Sequence, residues 1–90
     1  MKYKGFEFFG FTENLIQSLK LKKEDTDSEN WFIFYKSQKS NWIKFYPFAE
    51  YHGGGVPYLI NIGPNDFRLW LKENENFVAS IRELINSKVQ

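Results

Sequence analysis

The sequence contains no cysteine and a single histidine, His52. Without thiols it can form no disulfide framework, thiol nucleophile or thiolate zinc site, and one imidazole cannot build a multi-histidine metal centre. Charge of one sign is also missing: 12 Lys and Arg stand against 11 Asp and Glu, a formal net charge of +1. That balance excludes strong long-range attraction to nucleic acid or anionic lipid. No run approaches the roughly 20 apolar residues of a membrane span. The opening Lys2 to Gly10 is too short for a signal peptide and carries Glu7 within its apolar run, so a cytoplasmic location is expected. A phosphate-binding P-loop, a dinucleotide fingerprint and a helical pair of histidines with glutamate are absent too, and no cofactor is expected.

What is present belongs to a folded domain. The hydrophobic class makes up 42% of the chain and the charged class 26%, and 90 residues are too few for two cores, so residues 1–90 are read as one domain. Aromatics dominate. The 10 Phe, 5 Tyr and 3 Trp sum to 18, one more than the Ile, Leu and Val residues together. Such rings fill a small core with few side chains, but they are also enriched at binding surfaces.

Residues 2–9 read as a short strand ended by Gly10. Residues 13–23 read as a helix, with Thr12 as N-cap, Phe11 stapled onto Ile16, and Lys20, Lys22 and Lys23 in the last turn. Asp25, Asp27 and Glu29 alternate like the opening of a calcium loop. Asn30 stands where the sharp turn wants glycine, however, and Lys36 where a bidentate glutamate is needed. The metal reading fails, and a solvated loop is expected.

Trp31 to Tyr35 is a continuous apolar run of strand length, expected to be covered on both faces, and Trp42 to Tyr46 is its returning strand. Gly53, Gly54 and Gly55 make a connection, and Pro57 to Ile62 reads as a third strand. Phe67 to Lys72 fits two periods: the alternation Phe67, Leu69, Leu71 makes a fourth strand, while Phe67, Trp70, Leu71 and Asn74 follow helical spacing. The Asn74, Glu75, Asn76 cluster favours the strand, followed by a helix from Phe77 with Val78, Ile81, Leu84 and Ile85 on one stripe. The expected fold is α+β. A mostly antiparallel, four- or five-stranded meander sheet is packed on one face by an N-terminal and a C-terminal amphipathic helix.

Strand alternation then assigns the uncovered face. Trp42, Lys44, Tyr46, Arg68, Trp70 and Lys72 are expected to share it, an aromatic and basic surface fit for a protein partner or for stacking single-stranded nucleic acid. Alternatively, the N-terminal segment lies across that face and covers Trp42 and Trp70. Residues 31 to 63 carry three Lys against one Glu, too weak a basic patch to drive phosphate binding, so a protein partner is favoured. A homodimer through the same face is a third expectation.

His52 before three glycines is similar to the oxyanion loop of esterases, but no Gly-x-Ser-x-Gly arrangement accompanies it. The glycine triplet is therefore read as a mobile loop that presents Tyr51, His52 and Tyr58 to a partner, with Tyr51, His52 and Gly54 counted among the partner-binding positions. The element order resembles small α+β adaptor folds, phosphotyrosine readers among them, yet Trp31 to Tyr35 lacks the arginine that would fork a phosphate. No family is assigned. The sequence thus points to a small non-enzymatic binding module, an inhibitor, immunity or accessory factor, with single-stranded nucleic acid binding as the alternative.

Overall fold

A computed structural model describes residues 1–49 and 55–89 of the chain, and for Lys88 and Val89 the backbone alone. In chain order the elements are β1 (Lys2–Tyr3), β2 (Phe6–Gly10), α1 (Asn14–Ser18), β3 (Lys22–Asp27), β4 (Phe32–Lys36), β5 (Asn41–Phe45), β6 (Tyr58–Gly63), α2 (Phe67–Glu73) and α3 (Phe77–Val89). The strands form one antiparallel sheet in the order β1-β2-β6-β5-β4-β3. β3 to β6 follow one another as a meander. The N-terminal hairpin breaks that pattern by adding to the β6 side.

The expected α+β class and the strands at 31–35, 42–46 and 57–62 agree with β4, β5 and β6 to within a residue or so. The sheet has six strands where four or five were expected, and three local expectations are corrected with it. Residues 2–9 are two strands, because Lys4 and Gly5 both take positive φ (50° and 86°) in a two-residue turn that pairs Tyr3 with Phe6. The helix expected over 13–23 stops at Ser18. Lys20 turns left-handed at φ 53°, and the amides of Lys20 and Leu21 bond back to the carbonyls of Gln17 and Ile16 at 3.1 and 2.8 Å, a Schellman closure. Thr12 is not its cap: Glu13 holds that position without a side-chain cap bond. The chain continues as β3 in place of the expected solvated loop. β3 is an edge strand whose charged residues and bulge between Lys23 and Asp25 discourage pairing with another sheet.

The third correction concerns residues 67–72, which are helical, not a strand. Asp66 caps α2 by accepting from the amides of Arg68 and Leu69, both at 3.1 Å. A strand would have buried Phe67, Leu69 and Leu71. The helix instead leaves Leu69 exposed and seals Trp70, whose larger ring contributes more apolar burial than the leucine it displaces. Asn74, the first residue of the cluster taken to favour a strand, follows α2 directly and is buried, its amide donating to the carbonyl of Trp70 at 2.9 Å.

The helices therefore do not share one face. α2 and α3 pack Trp70, Phe77, Ile81 and Ile85 on a core that includes Phe8, Phe34, Ile43, Phe45, Ile60 and Ile62. On the opposite face Leu15, Ile16, Leu19 and Leu21, from α1 and the turn after it, lie with Phe11 against Tyr35, Trp42 and Leu59. Both faces of the sheet are covered, as the unbroken apolar run before Lys36 implies.

Candidate functional site

The nine residues singled out in the sequence do not assemble into one surface. Trp42 and Lys44 lie on the face of β5 away from α2 and α3, as alternation requires. Both are buried there. Trp42 meets Phe9 edge-on and donates its indole N–H to Ser37 Oγ at 2.9 Å, and Lys44 Nζ stands 4.3 Å from the centroid of the Phe11 ring. Arg68, Trp70 and Lys72 are carried by α2 to the other side of the sheet. Trp70 is 3% exposed among Tyr3, Phe6 and Phe77, while Arg68 and Lys72 face solvent, with Arg68 3.6 Å from Asp25. Tyr51, His52 and Gly54 lie outside the described residues. The uncovered aromatic and basic face is therefore corrected: α1 and its closing turn roof the Trp42 side, and the helical state of residues 67–72 removes the other three.

Tyr46 is the exception. Register places Ile33 opposite Lys44, so two residues further out Trp31 faces Tyr46 across the end of β4 and β5. Their rings meet edge to face, with centroids 5.7 Å apart and planes at 90°. Trp31 is 49% exposed and holds φ at 61°, a left-handed conformation uncommon for a bulky residue.

The β3–β4 turn explains how this comes about. Asp27 pairs with Phe32, leaving four loop residues, and its carboxylate accepts from the Asn30 side-chain amide at 2.9 Å and from the Asn30 backbone at 3.4 Å. The turn forces its last residue left-handed, and that residue is tryptophan where glycine or asparagine is usual. Sequence reasoning placed Trp31 inside the strand and missed it. The available signal was the Asp27 to Asn30 turn chemistry directly before an indole.

The indole divides two shallow clefts. One, of about 470 Å³, is lined by residues including Asp27, Trp31, Ile33 and Tyr46; the other, of about 450 Å³, by residues including Glu29, Trp31, Tyr46, Glu75 and Val78. Among the described residues, every ionisable one lining the clefts other than Tyr46 is a carboxylate. Among the described residues no group of three His, Asp or Glu side chains is placed to hold a metal, and no helix is long and apolar enough to cross a membrane. On the roofed face Tyr35 stacks on Phe11, and burial, with added repulsion from Glu13 and Tyr46, pushes its hydroxyl above the ordinary tyrosine range. No family model matches the chain, and neither a curated protein nor a solved structure gives a significant match.

Proposed function

We propose that the protein is a small non-enzymatic protein-binding module, in the manner of an inhibitor, immunity or accessory factor, and that it docks through the Trp31–Tyr46 end of its sheet. The observation that carries this reading is a half-exposed tryptophan kept in a conformation that costs about 1–2 kcal/mol relative to glycine. A fold gains little from such a residue, whereas an interface gains much: tryptophan and tyrosine dominate binding hot spots, and ridged aromatic surfaces flanked by clefts seat partner side chains. Carboxylates beside the ring disfavour phosphate, so single-stranded nucleic acid is the weaker reading.

Affinity capture with the wild-type chain and a Trp31→Gly control tests this. The variant relieves the backbone while removing the ring. A protein retained by the wild type and lost by the folded variant is the expected result. Equal retention by both, or saturable binding of a thymidine oligonucleotide that depends on Trp31, overturns it.

A further inference from the structure

We infer that the occupant of the Trp31–Tyr46 corner is a basic segment of a partner protein, with an arginine laid on the Trp31 indole and its guanidinium turned toward Asp27, Glu29 and Glu75. The inference rests on the protein-binding reading above and adds the chemistry of the partner.

Charge complementarity carries it. Among the described residues, the two clefts beside the indole are lined by three carboxylates and no lysine or arginine. Glu29 and Glu75 are exposed and make no ion pair among the described residues. The described cations nearby lie outside these two clefts, Arg68 and Lys72 lining an adjoining one to which Asp27 and Glu75 also contribute. Arg68 faces Asp25, Lys44 lies between the rings of Phe11 and Tyr46, and the Arg82 guanidinium stands 5.4 Å over Phe48. Inside both clefts the charged groups flanking the apolar ring are thus carboxylates, a combination that a neutral apolar partner would not need.

The seat can be narrowed to one ring. Lys44 Nζ already stands 5.7 Å from the centroid of Tyr46, so that ring is part of an internal cation contact. Among the described residues Trp31 has no such contact, and indole is the best of the aromatic rings at attracting a cation. Arginine suits the corner better than lysine, because its planar head stacks on an indole while its edge donors reach carboxylates.

The test is a titration of the full isotope-labelled chain with the blocked peptide Gly-Arg-Leu-Arg-Gly and with its twin carrying uncharged citrulline in place of both arginines. The Trp31 indole N–H resonance, identified by its disappearance in Trp31→Phe, is followed by NMR. The arginine peptide should move it saturably, with the citrulline twin roughly tenfold weaker. The double variant Glu29→Gln, Glu75→Gln should lose several-fold in affinity for the arginine peptide while its peptide-free spectrum keeps the folded dispersion. Equal binding of both peptides overturns the cation chemistry and leaves the protein-docking reading standing, as does the absence of any arginine-peptide shift when a Trp31-dependent partner is captured. Failure of that capture with loss of the peptide response removes both.

Discussion

Trp31 and Tyr46 face each other across the outer end of β4 and β5, edge to face, with ring centroids 5.7 Å apart, while the backbone of Trp31 sits in the left-handed region at φ 61°. Two opposed effects thus act on one residue. Replacement by alanine loses the ring contact, worth about 0.5–1.5 kcal/mol, and keeps the strain. Replacement by glycine loses the same contact but relieves about 1–2 kcal/mol. Trp31→Gly should therefore be more stable than Trp31→Ala by about 1 kcal/mol, and close to wild type, in urea unfolding followed by circular dichroism. Equal loss in the two variants would show that the turn does not need a left-handed residue there.

The two buried indoles make a second comparison. Trp42 donates to Ser37 Oγ, whereas Trp70 Nε1 has no hydrogen-bond partner among the described residues. Both lie in packed surroundings, so replacement by phenylalanine leaves a void in either case. Only Trp42→Phe also removes a hydrogen bond, leaving Ser37 Oγ with its bond to the Ser40 carbonyl at 3.3 Å. It should cost about 1 kcal/mol more than Trp70→Phe in equilibrium unfolding. Adding Ser37→Ala should cost about 1 kcal/mol less in the Trp42→Phe background, where only its bond to the Ser40 carbonyl remains, than in the wild type, where both bonds are lost.

How much of this was legible in the sequence follows from where local signals compete. β4, β5, β6 and α3 were readable because an apolar run, a polar turn and a helical stripe each point one way. α1 was overextended because Lys20, Lys22 and Lys23 suit the end of a helix dipole as well as they suit a charged edge strand. Pairing of β3 with β4 in a hairpin decides that case, and the charged run from Glu24 to Glu29 carries no apolar alternation that would reveal it. The expected binding face depended on Trp42 and Trp70 sharing a pleat. The helical state of residues 67–72 placed the second of them in the opposite core.

Lys44 is 8% exposed and has two aromatic rings for company, with no carboxylate paired to it among the described residues. Attraction to ring faces offsets part of the cost of keeping an ammonium among apolar groups, but a methionine of similar length has no such cost. Lys44→Met should leave stability within about 1 kcal/mol of wild type or raise it. Lys44→Glu places a negative charge against the negative faces of Phe11 and Tyr46, and should cost about 3 kcal/mol or more. Thermal and urea unfolding of the two variants check the pair, and a severe loss in Lys44→Met would reveal a partner for the ammonium.

Tyr35 gives the fold a sensitivity to alkali. Its hydroxyl is held above its ordinary value of 10.0, chiefly by burial and then by the charges of Glu13 and Tyr46. Above that value the unfolded chain gives up the proton while the folded chain keeps it, so the folded state binds more protons. The stability contributed by this group is complete below pH 10.0 and is lost as pH rises through the higher folded value. Unfolding free energy measured against pH should fall less steeply in Tyr35→Phe than in wild type over that alkaline window. Parallel curves would remove Tyr35 as a source of the sensitivity.

The start of α2 decides between the helical and extended states of residues 67–72, and Asp66 provides its lever. Its carboxylate accepts from the amides of Arg68 and Leu69, two of the donors that a helix start leaves without partners. A strand would have no use for such a cap. Asp66→Ala should cost about 1 kcal/mol, and Asp66→Asn, which keeps an acceptor, much less. Because Trp70 enters the core only through α2, the loss should appear in the near-ultraviolet signal of the buried indole together with the helical signal, in one transition. If Asp66→Ala instead left both signals and the unfolding midpoint unchanged, the burial of Phe67, Trp70 and Leu71 would be sufficient to hold these residues helical without their cap.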